Sequence, residues 1–236
     1  MARIIKDYAE RRQEIINVAQ RLVYTKGYEQ MTIQDILDEI HISKGAFYHY
    51  FDSKQQLLEA LIEHIQHEAK AVIIPIVNDP ALPALEKMQR VIGAVASWKT
   101  ARKDYLLALV RVWYADDNAI VRQKVQTSLI KQIAPVFTEI VQQGIREGIF
   151  DTPYPDQMGE IILSTMQGLG EAFVDLLFFS EPRPDDLRQI TKKVAAYTDA
   201  LERILGTTSG SLQLMDEETI KTWVNKQEKS IPQAAG

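Results

Sequence analysis

Lys44, Gly45, Ala46, Tyr48 and His49 form one outward set in a short segment that opens at Ser43, and their side chains suit contact with duplex DNA. Lys44 would bind phosphate or guanine, and Gly45 and Ala46 are small enough for close approach. His49 would meet a base or a phosphate, and the Tyr48 hydroxyl a phosphate. Lys54, with the free amides that open the next helix, adds a phosphate clamp. The plain alternative is a small helical subdomain whose aromatics serve only as core. Other chemistry is thinly provided. There is no cysteine, hence no thiolate nucleophile, disulfide framework or Cys-ligated zinc. No Gly-rich phosphate loop is present, and the four His (41, 49, 64 and 67) all fall in the first third. His64 and His67, at i and i+3 between Glu63 and Glu68, would be the metal ligands of a metal-dependent enzyme. Hydrolysis needs a third ligand that nothing nominates, and a solvated helix face is the simpler reading. A helical adaptor that binds only proteins is a further alternative, but it has no use for Tyr48 and Lys54. No catalytic residue, resident metal or cofactor is expected.

The elements that must hold these residues are helical. Asp7 and Glu10 have capping-box spacing, and Ile15, Ala19, Leu22 and Val23 share one face of a helix that Gly27 ends. Thr32 caps a short helix with Ile33, Ile36, Leu37 and Ile40 on one face. After only His41 and Ile42, Ser43 caps a third helix, Lys44 to about Phe51. Ser53 and Gln56 then open a long helix with Leu57, Leu58, Leu61, Ile62 and Ile65 inward. Residues 32 to 51 thus have the spacing of a helix-turn-helix, whose second helix enters the major groove. Its inward face would be Ile42, Phe47 and Phe51, packed on Ile36, Ile40 and Leu22.

Gly27-Tyr28, Met31-Thr32-Ile33, Ile36, the run Ile42 to Phe51 and Lys54-Gln55-Gln56-Leu57-Leu58 resemble the DNA-binding head of the tetracycline-repressor (TetR) family. The resemblance is specific over about residues 8 to 62 and architectural thereafter, with Gly144 and Glu147-Gly148-Ile149-Phe150 resembling the family's body. It implies an all-α homodimer that binds a palindromic operator and releases it when a small-molecule inducer enters the body. It also implies that Thr32, Tyr48 and Lys54 contact phosphates, while Lys44, Gly45, Ala46 and His49, in the helix that Ser43 caps, lie near the bases. Two positions depart from the pattern. Leu37 stands where the family usually has Ala, which bears on helix packing, and His41 where it usually has Gly, which bears on the turn.

The expected architecture is therefore all-α, a three-helix helix-turn-helix head over 1–53 on a larger ligand-binding and dimerisation body over 54–206. Body helices are placed at about 54–77, 84–98, 102–115, 119–147, 156–179 and 187–205, with Pro135 kinking the fourth. Residues 206 to 215 read as a linker within a C-terminal extension, 207–236, that has a short helix at 216–229 docked on the body. Ile162, Met166, Leu169 and Phe173 step by 4, 3 and 4, and Leu187, Ile190, Val194, Tyr197, Leu201 and Ile204 by 3, 4, 3, 4 and 3. Such stripes are read as a four-helix seam with two helices from each protomer, the plain alternative being the protomer's own core. Met88, Trp98, Tyr105, Leu109, Trp113, Phe137 and Met166 are candidates for lining an inducer pocket, with Arg111 to grip an anion. Glu171 and Asp175 would serve a cation or face solvent.

Composition bounds these readings. Gly 11 and Pro 9 of 236 residues lie below the roughly 12% usual for the pair, which favours long helices over many tight turns. Lys and Arg match Asp and Glu at 8 each through residue 54, so the whole net charge of −5 falls after it. A neutral head on an acidic body permits nucleic acid at one end and disfavours a membrane surface at the other. No uncharged stretch approaches the ~18 to 20 apolar residues of a membrane span, and the start lacks the apolar core of a signal peptide. A cytoplasmic protein is expected.

Overall fold

Each of the first four helices starts where a side chain takes over an orphan amide. Asp7 accepts from the Tyr8 amide at 2.7 Å, Thr32 from Asp35 at 3.1 Å, Ser43 from Ala46 at 3.2 Å and Ser53 from Gln56 at 3.1 Å. The computed structural model describes residues 7–115, 118–180 and 183–224. Among these residues there is no strand. The helices are α1 (Tyr8–Lys26), α2 (Ile33–Ile40), α3 (Lys44–Tyr48), α4 (Lys54–Val77), α5 (Ala84–Ala101), α6 (Lys103–Trp113), α7 (Ala119–Arg146), α8 (Met158–Val174), α9 (Asp186–Leu205) and α10 (Glu217–Val224). Residues 1–6 of the expected head, 225–229 of the expected last helix, and the breaks at 116–117 and 181–182 lie outside the described residues.

Two hydrophobic cores organise the chain. One joins α1, α2 and α3 to Leu57, Leu58 and Leu61 of α4, and also to Tyr105, Leu109 and Trp113 of α6. The other gathers Ile73 and Val77 of α4 with α5, α7, α8, α9 and α10. A division at residue 53 therefore cuts through the first core, because α4 runs through both. Pro135 lies inside α7, where its missing N–H leaves the Lys131 carbonyl without a helical donor.

Six of the ten residues assigned to a dimer seam are fully buried within the protomer. Ile162, Leu169, Phe173, Ile190, Val194 and Leu201 are already buried in the protomer's own core. Met166, Leu187, Tyr197 and Ile204 are partly buried and pack against the same core. The 3-4 stepping reports one covered face per helix, and for those six residues the covering is intramolecular. A second correction concerns apolar length. Pro155–Phe179 forms one helix long and apolar enough to cross a membrane by length and composition, with mean hydropathy 1.4. A count of uncharged residues misses it because the run stops at Glu171. The helix ends in a π-helical turn over Asp175–Phe179, where the Ser180 amide bonds the Asp175 carbonyl at 2.9 Å.

The expected linker is a packed strap. Leu212 and Leu214 are buried, and the buried Glu202 carboxylate accepts from the amides of Gly210 at 3.0 Å and Leu212 at 2.8 Å. Gln89 pairs both ways with the Gln213 backbone at 2.9 Å. Beyond the strap, α10 docks through buried Ile220 and a 3.0 Å hydrogen bond from Trp223 Nε1 to Thr100 Oγ1.

In the head, Leu37 fits the core at 5% exposure, so the bulkier side chain is accommodated. His41 closes α2 at φ 54°, ψ 49°, the only non-glycine positive φ among the described residues. That conformation lets the His41 and Ile42 amides both reach the Leu37 carbonyl. A non-glycine residue there costs roughly 1–2 kcal/mol, of which glycine's greater chain entropy returns about half. His41→Gly should therefore raise stability by ~0.5–1 kcal/mol. The measurement is a shift of the urea midpoint with unchanged slope, and an unchanged or lower midpoint would contradict the strain.

Candidate nucleic-acid interface

The exposed surface of the head is set by what α3 buries. Phe47 and Phe51 are almost wholly enclosed, and Arg12 lies 5.1 Å over the Phe51 ring. Five residues of α-helix then suffice to turn Lys44, Gly45, Tyr48 and His49 outward on one face, with Ala46 half-buried behind them. The helix stops at Tyr48 instead of Phe51, and the Phe47 carbonyl holds the following turn through the amides of Tyr50 (2.9 Å) and Phe51 (3.1 Å). A Cβ built on Gly45 would meet nothing nearer than Ser43 Oγ at 4.0 Å. The fold itself thus leaves the space in front of Gly45 open.

Aromatic rings that spacing does not nominate brace this face. Tyr8, half exposed, stacks at 4.8 Å on Tyr50 and meets His49 edge-on at 5.6 Å, while His49 meets Tyr50 at 5.2 Å. The imidazole is thereby held by α1 as well as by its own helix. Tyr8 and Tyr50 are forty-two residues apart, so no local pattern could have paired them.

The flanking candidates are more committed than their positions suggest. The Thr32 hydroxyl accepts from the Asp35 amide and donates to Asp35 Oδ2 at 2.9 Å, and its own amide donates to the same oxygen at 2.8 Å. Its first duty is the cap of α2. Lys54 sits with its ammonium 4.5 Å from the Tyr28 ring and donates to the Glu29 carbonyl at 3.3 Å. Tyr28 donates in turn to the Lys54 carbonyl at 2.8 Å. Burial pushes the Lys54 ammonium pKa down, opposed by the charges of Glu29 and Asp35, and pushes the Tyr28 hydroxyl up to about 12. The start of α4 is latched to the loop after α1, with the Lys54 cation part-buried at that junction.

Candidates from the body are not brought to one place. Met88 and Phe137 are buried in the body core with Met166 against it, whereas Tyr105, Leu109 and Trp113 belong to the head core. Trp98 is buried beneath Arg102 at 4.7 Å, and Arg111 is exposed over the Phe178 ring at 6.0 Å. A cleft of about 210 Å³ does open in the body, but its walls are Val77, Lys87, Glu139, Ile140, Gln142, Gln143 and Arg146. His64 faces Glu68 at 3.4 Å and Gln13 at 3.4 Å while His67 is exposed, so the pair shares no ligand. Among the described residues no three His, Asp or Glu side chains gather as a metal site.

Comparison with known proteins follows the same division of the chain. Residues 15–61 match the family described as bacterial regulatory proteins, tetR family, and residues 110–200 match the tetracyclin repressor-like C-terminal domain. An uncharacterized HTH-type transcriptional regulator of Lactococcus lactis is 33% identical over 95 residues, 40% of this chain and 48% of that protein. The chain thus spans about half that relative's length. The HTH-type transcriptional repressor KstR2 of Mycobacterium tuberculosis is 27% identical over 154 residues, 64% of this chain and 74% of that one. In fold, a transcriptional regulator from Cytophaga hutchinsonii superposes with a TM-score of 0.65 at 19% identity, covering 83% of this chain and 98% of the other.

One acid titration follows from the cap. Hydrogen bonding from Lys26 first, at 2.7 Å, and then from Thr32 holds the Asp35 carboxyl at about 2. A depressed folded-state pKa stabilises above the unfolded value and is lost as pH falls through the folded one. Wild-type stability should therefore fall between about pH 4 and pH 2, and Asp35→Asn should lose less across that window. Urea midpoints at several pH values test this, and equal losses in both proteins would refute it.

Proposed function

The chain belongs to the tetracycline-repressor (tetR) family, and from that premise we propose that it is a DNA-binding transcriptional repressor. It acts in the cytoplasm as a homodimer on a palindromic operator and lets go when a small-molecule inducer enters its body. The observation that carries the DNA reading is the α3 face, where exposed Lys44, Tyr48 and His49 surround a glycine with open space before it. A helix presented this way can bring its backbone against base edges in the major groove while longer side chains reach bases and phosphates. Lys54 serves as a flanking phosphate contact. Thr32 serves mainly through its cap, which fixes α2 against the backbone. The similar proteins that are named are transcription regulators, which favours this reading over an enzyme or a protein-only adaptor.

Gly45→Leu gives a clean test, because the fold has room for the side chain and only docking would suffer. It should keep wild-type stability and lose operator binding. Lys54→Ala should weaken all duplexes alike and lower the salt slope by ~0.9, whereas Lys44→Ala or His49→Ala should cost ~1–3 kcal/mol at one operator position. Titrations on operator and scrambled duplexes read all three, and a Gly45→Leu variant that binds like wild type would remove the major-groove assignment.

We infer that the dimer forms through the exposed side of α8 and α9. Only five of the 25 residues of the apolar Pro155–Phe179 helix are fully buried inside the protomer, which leaves part of its surface available to a partner. Ile161 and Ser164 of α8 are exposed, as are Ala196 and Ala200 of α9, and the three small side chains would let helices of a second copy pack closely. Heads carried by such a pair would meet half-sites ~34–36 Å apart or somewhat more. Ala200→Glu should give folded monomers in sedimentation with unchanged helical circular dichroism. Leu201→Glu, one residue on but buried in the protomer, should unfold the chain by several kcal/mol. A stable Ala200→Glu dimer would place the interface elsewhere.

A further inference from the structure

Among the described residues no hydrogen bond holds the His49 imidazole, which projects from the C-cap of α3. Two edge-on ring contacts orient it instead. Tyr50 lies at 5.2 Å with 80° between the planes, and Tyr8 at 5.6 Å with 83°. Tyr50 follows His49 in the chain and is anchored by packing against the head core. Tyr8 arrives from another element, as the first residue of α1. It is half exposed and lies outside the head core, so core packing does not account for its ring. That ring also leans on Tyr50 at 4.8 Å. One turn on along the same face of α1, Arg12 lies over Phe51 at 5.1 Å. The opening of α1 therefore lies along the end of α3, and six buried side chains between Ile15 and Val23 fix the rest of α1 in the head core. A firmly mounted helix carries an aromatic wall up to the imidazole.

Edge-to-face contact sets the positive rim of one ring against the face of another, so each contact restrains the plane of the imidazole. The plane matters for readout. Base pairs differ in the major groove by where their donors and acceptors lie, and an imidazole nitrogen donates or accepts according to its tautomer and direction. A freely turning ring would satisfy several bases equally and lose more rotamer freedom on docking. We propose that Tyr8 is a positioning residue for DNA recognition: it holds the His49 imidazole in one plane and so sharpens the preference at the base pair that His49 meets. This role rests on the DNA reading above and deepens it, adding a residue from outside the helix-turn-helix to those that set the operator sequence. Tyr8 acts through His49 and touches no base itself. Its hydroxyl is not needed, because both contacts are made by the ring.

The test uses the full chain and one pool of random duplexes, from which wild type selects its own sequence. Titrations at several salt concentrations, on that duplex and on its single-base-pair variants, then give the preference at each position. His49→Ala marks the position where His49 is read, by losing preference there. Tyr8→Leu should lower the preference at that same position about two- to tenfold, the worth of one aromatic pair, and leave the other positions and the salt slope as they are. Tyr8→Gln, which also removes the ring, should do the same, and urea midpoints near wild type should show both variants folded. Tyr8→Phe should keep the full preference. Adding Tyr8→Leu to His49→Ala should cost nothing further at that position, because the wall then has no ring to hold. A loss shared by all duplexes with a smaller salt slope would make Tyr8 a phosphate contact and overturn the role. So would full preference in Tyr8→Leu and Tyr8→Gln, a loss in Tyr8→Phe, or a further loss in the double variant. Should wild type select a sequence while His49→Ala shifts no position, the DNA reading stands and the role of Tyr8 falls. Should wild type select no sequence, both fall.

Discussion

Helix α4 is held in two hydrophobic cores at once, and the behaviour of the molecule depends on that double commitment. Leu57, Leu58 and Leu61 at one end are essentially unexposed beneath the head, and Ile73 and Val77 at the other are buried in the body. Each such side chain contributes about 1.5–3 kcal/mol by leaving water, so neither end can let go cheaply. A rigid helix with both ends fixed transmits tilt: whatever moves its body half moves the head. The second link is α6, which gives Tyr105, Leu109 and Trp113 to the head core although it belongs to the body in sequence. Head and body are thus joined by packed side chains and not by a flexible tether.

Where α4 meets the start of α6, polar groups are incompletely paired. Arg102 lies 3.5 Å from Glu68, and both Glu68 Oε2 and the Tyr105 hydroxyl are buried without a hydrogen-bond partner. Charge next to Tyr105 and its burial push that hydroxyl well above its ordinary range, burial more than Glu68. A buried polar atom left without a partner costs free energy, which makes this junction one of the less favourably packed parts of the chain.

The head is built in the opposite manner. Its caps are complete, its ion pairs cross between helices, as in Arg21 with Glu39 and Lys26 with Asp35, and its aromatic core is closed. A recognition surface of three exposed residues on a five-residue helix, with His49 at its C-cap, needs that rigidity, because so short a helix has no stability of its own. Its one strained point, the left-handed His41, sits at the turn that sets the angle between α2 and α3. The strain is held in place by two amides that share the Leu37 carbonyl and by the packing of Phe47 and Phe51.

What the sequence alone determined is everything carried by near neighbours along the chain. Thr32, Ser43 and Ser53 announce helix starts because a cap joins residues three apart, and Phe47 with Phe51 declares which side of α3 is buried, leaving Lys44, Gly45, Tyr48 and His49 outward. The all-helical class and the bounds of α4 follow from the same local periodicity. The partner of a buried face is not written there. The stripes through Ile162 and Leu201 have the same stepping whether a second protomer or the chain itself covers them, and only the packed structure puts them inside. The strap at 206–215 reads as a linker because Glu202 and Leu212 become partners only once α9 has turned. Lys54 with Tyr28 and Tyr8 with His49 are likewise products of distant segments brought together. Tertiary structure decided these because desolvation and contact depend on what arrives from elsewhere, and a local pattern records only which side is waiting for it.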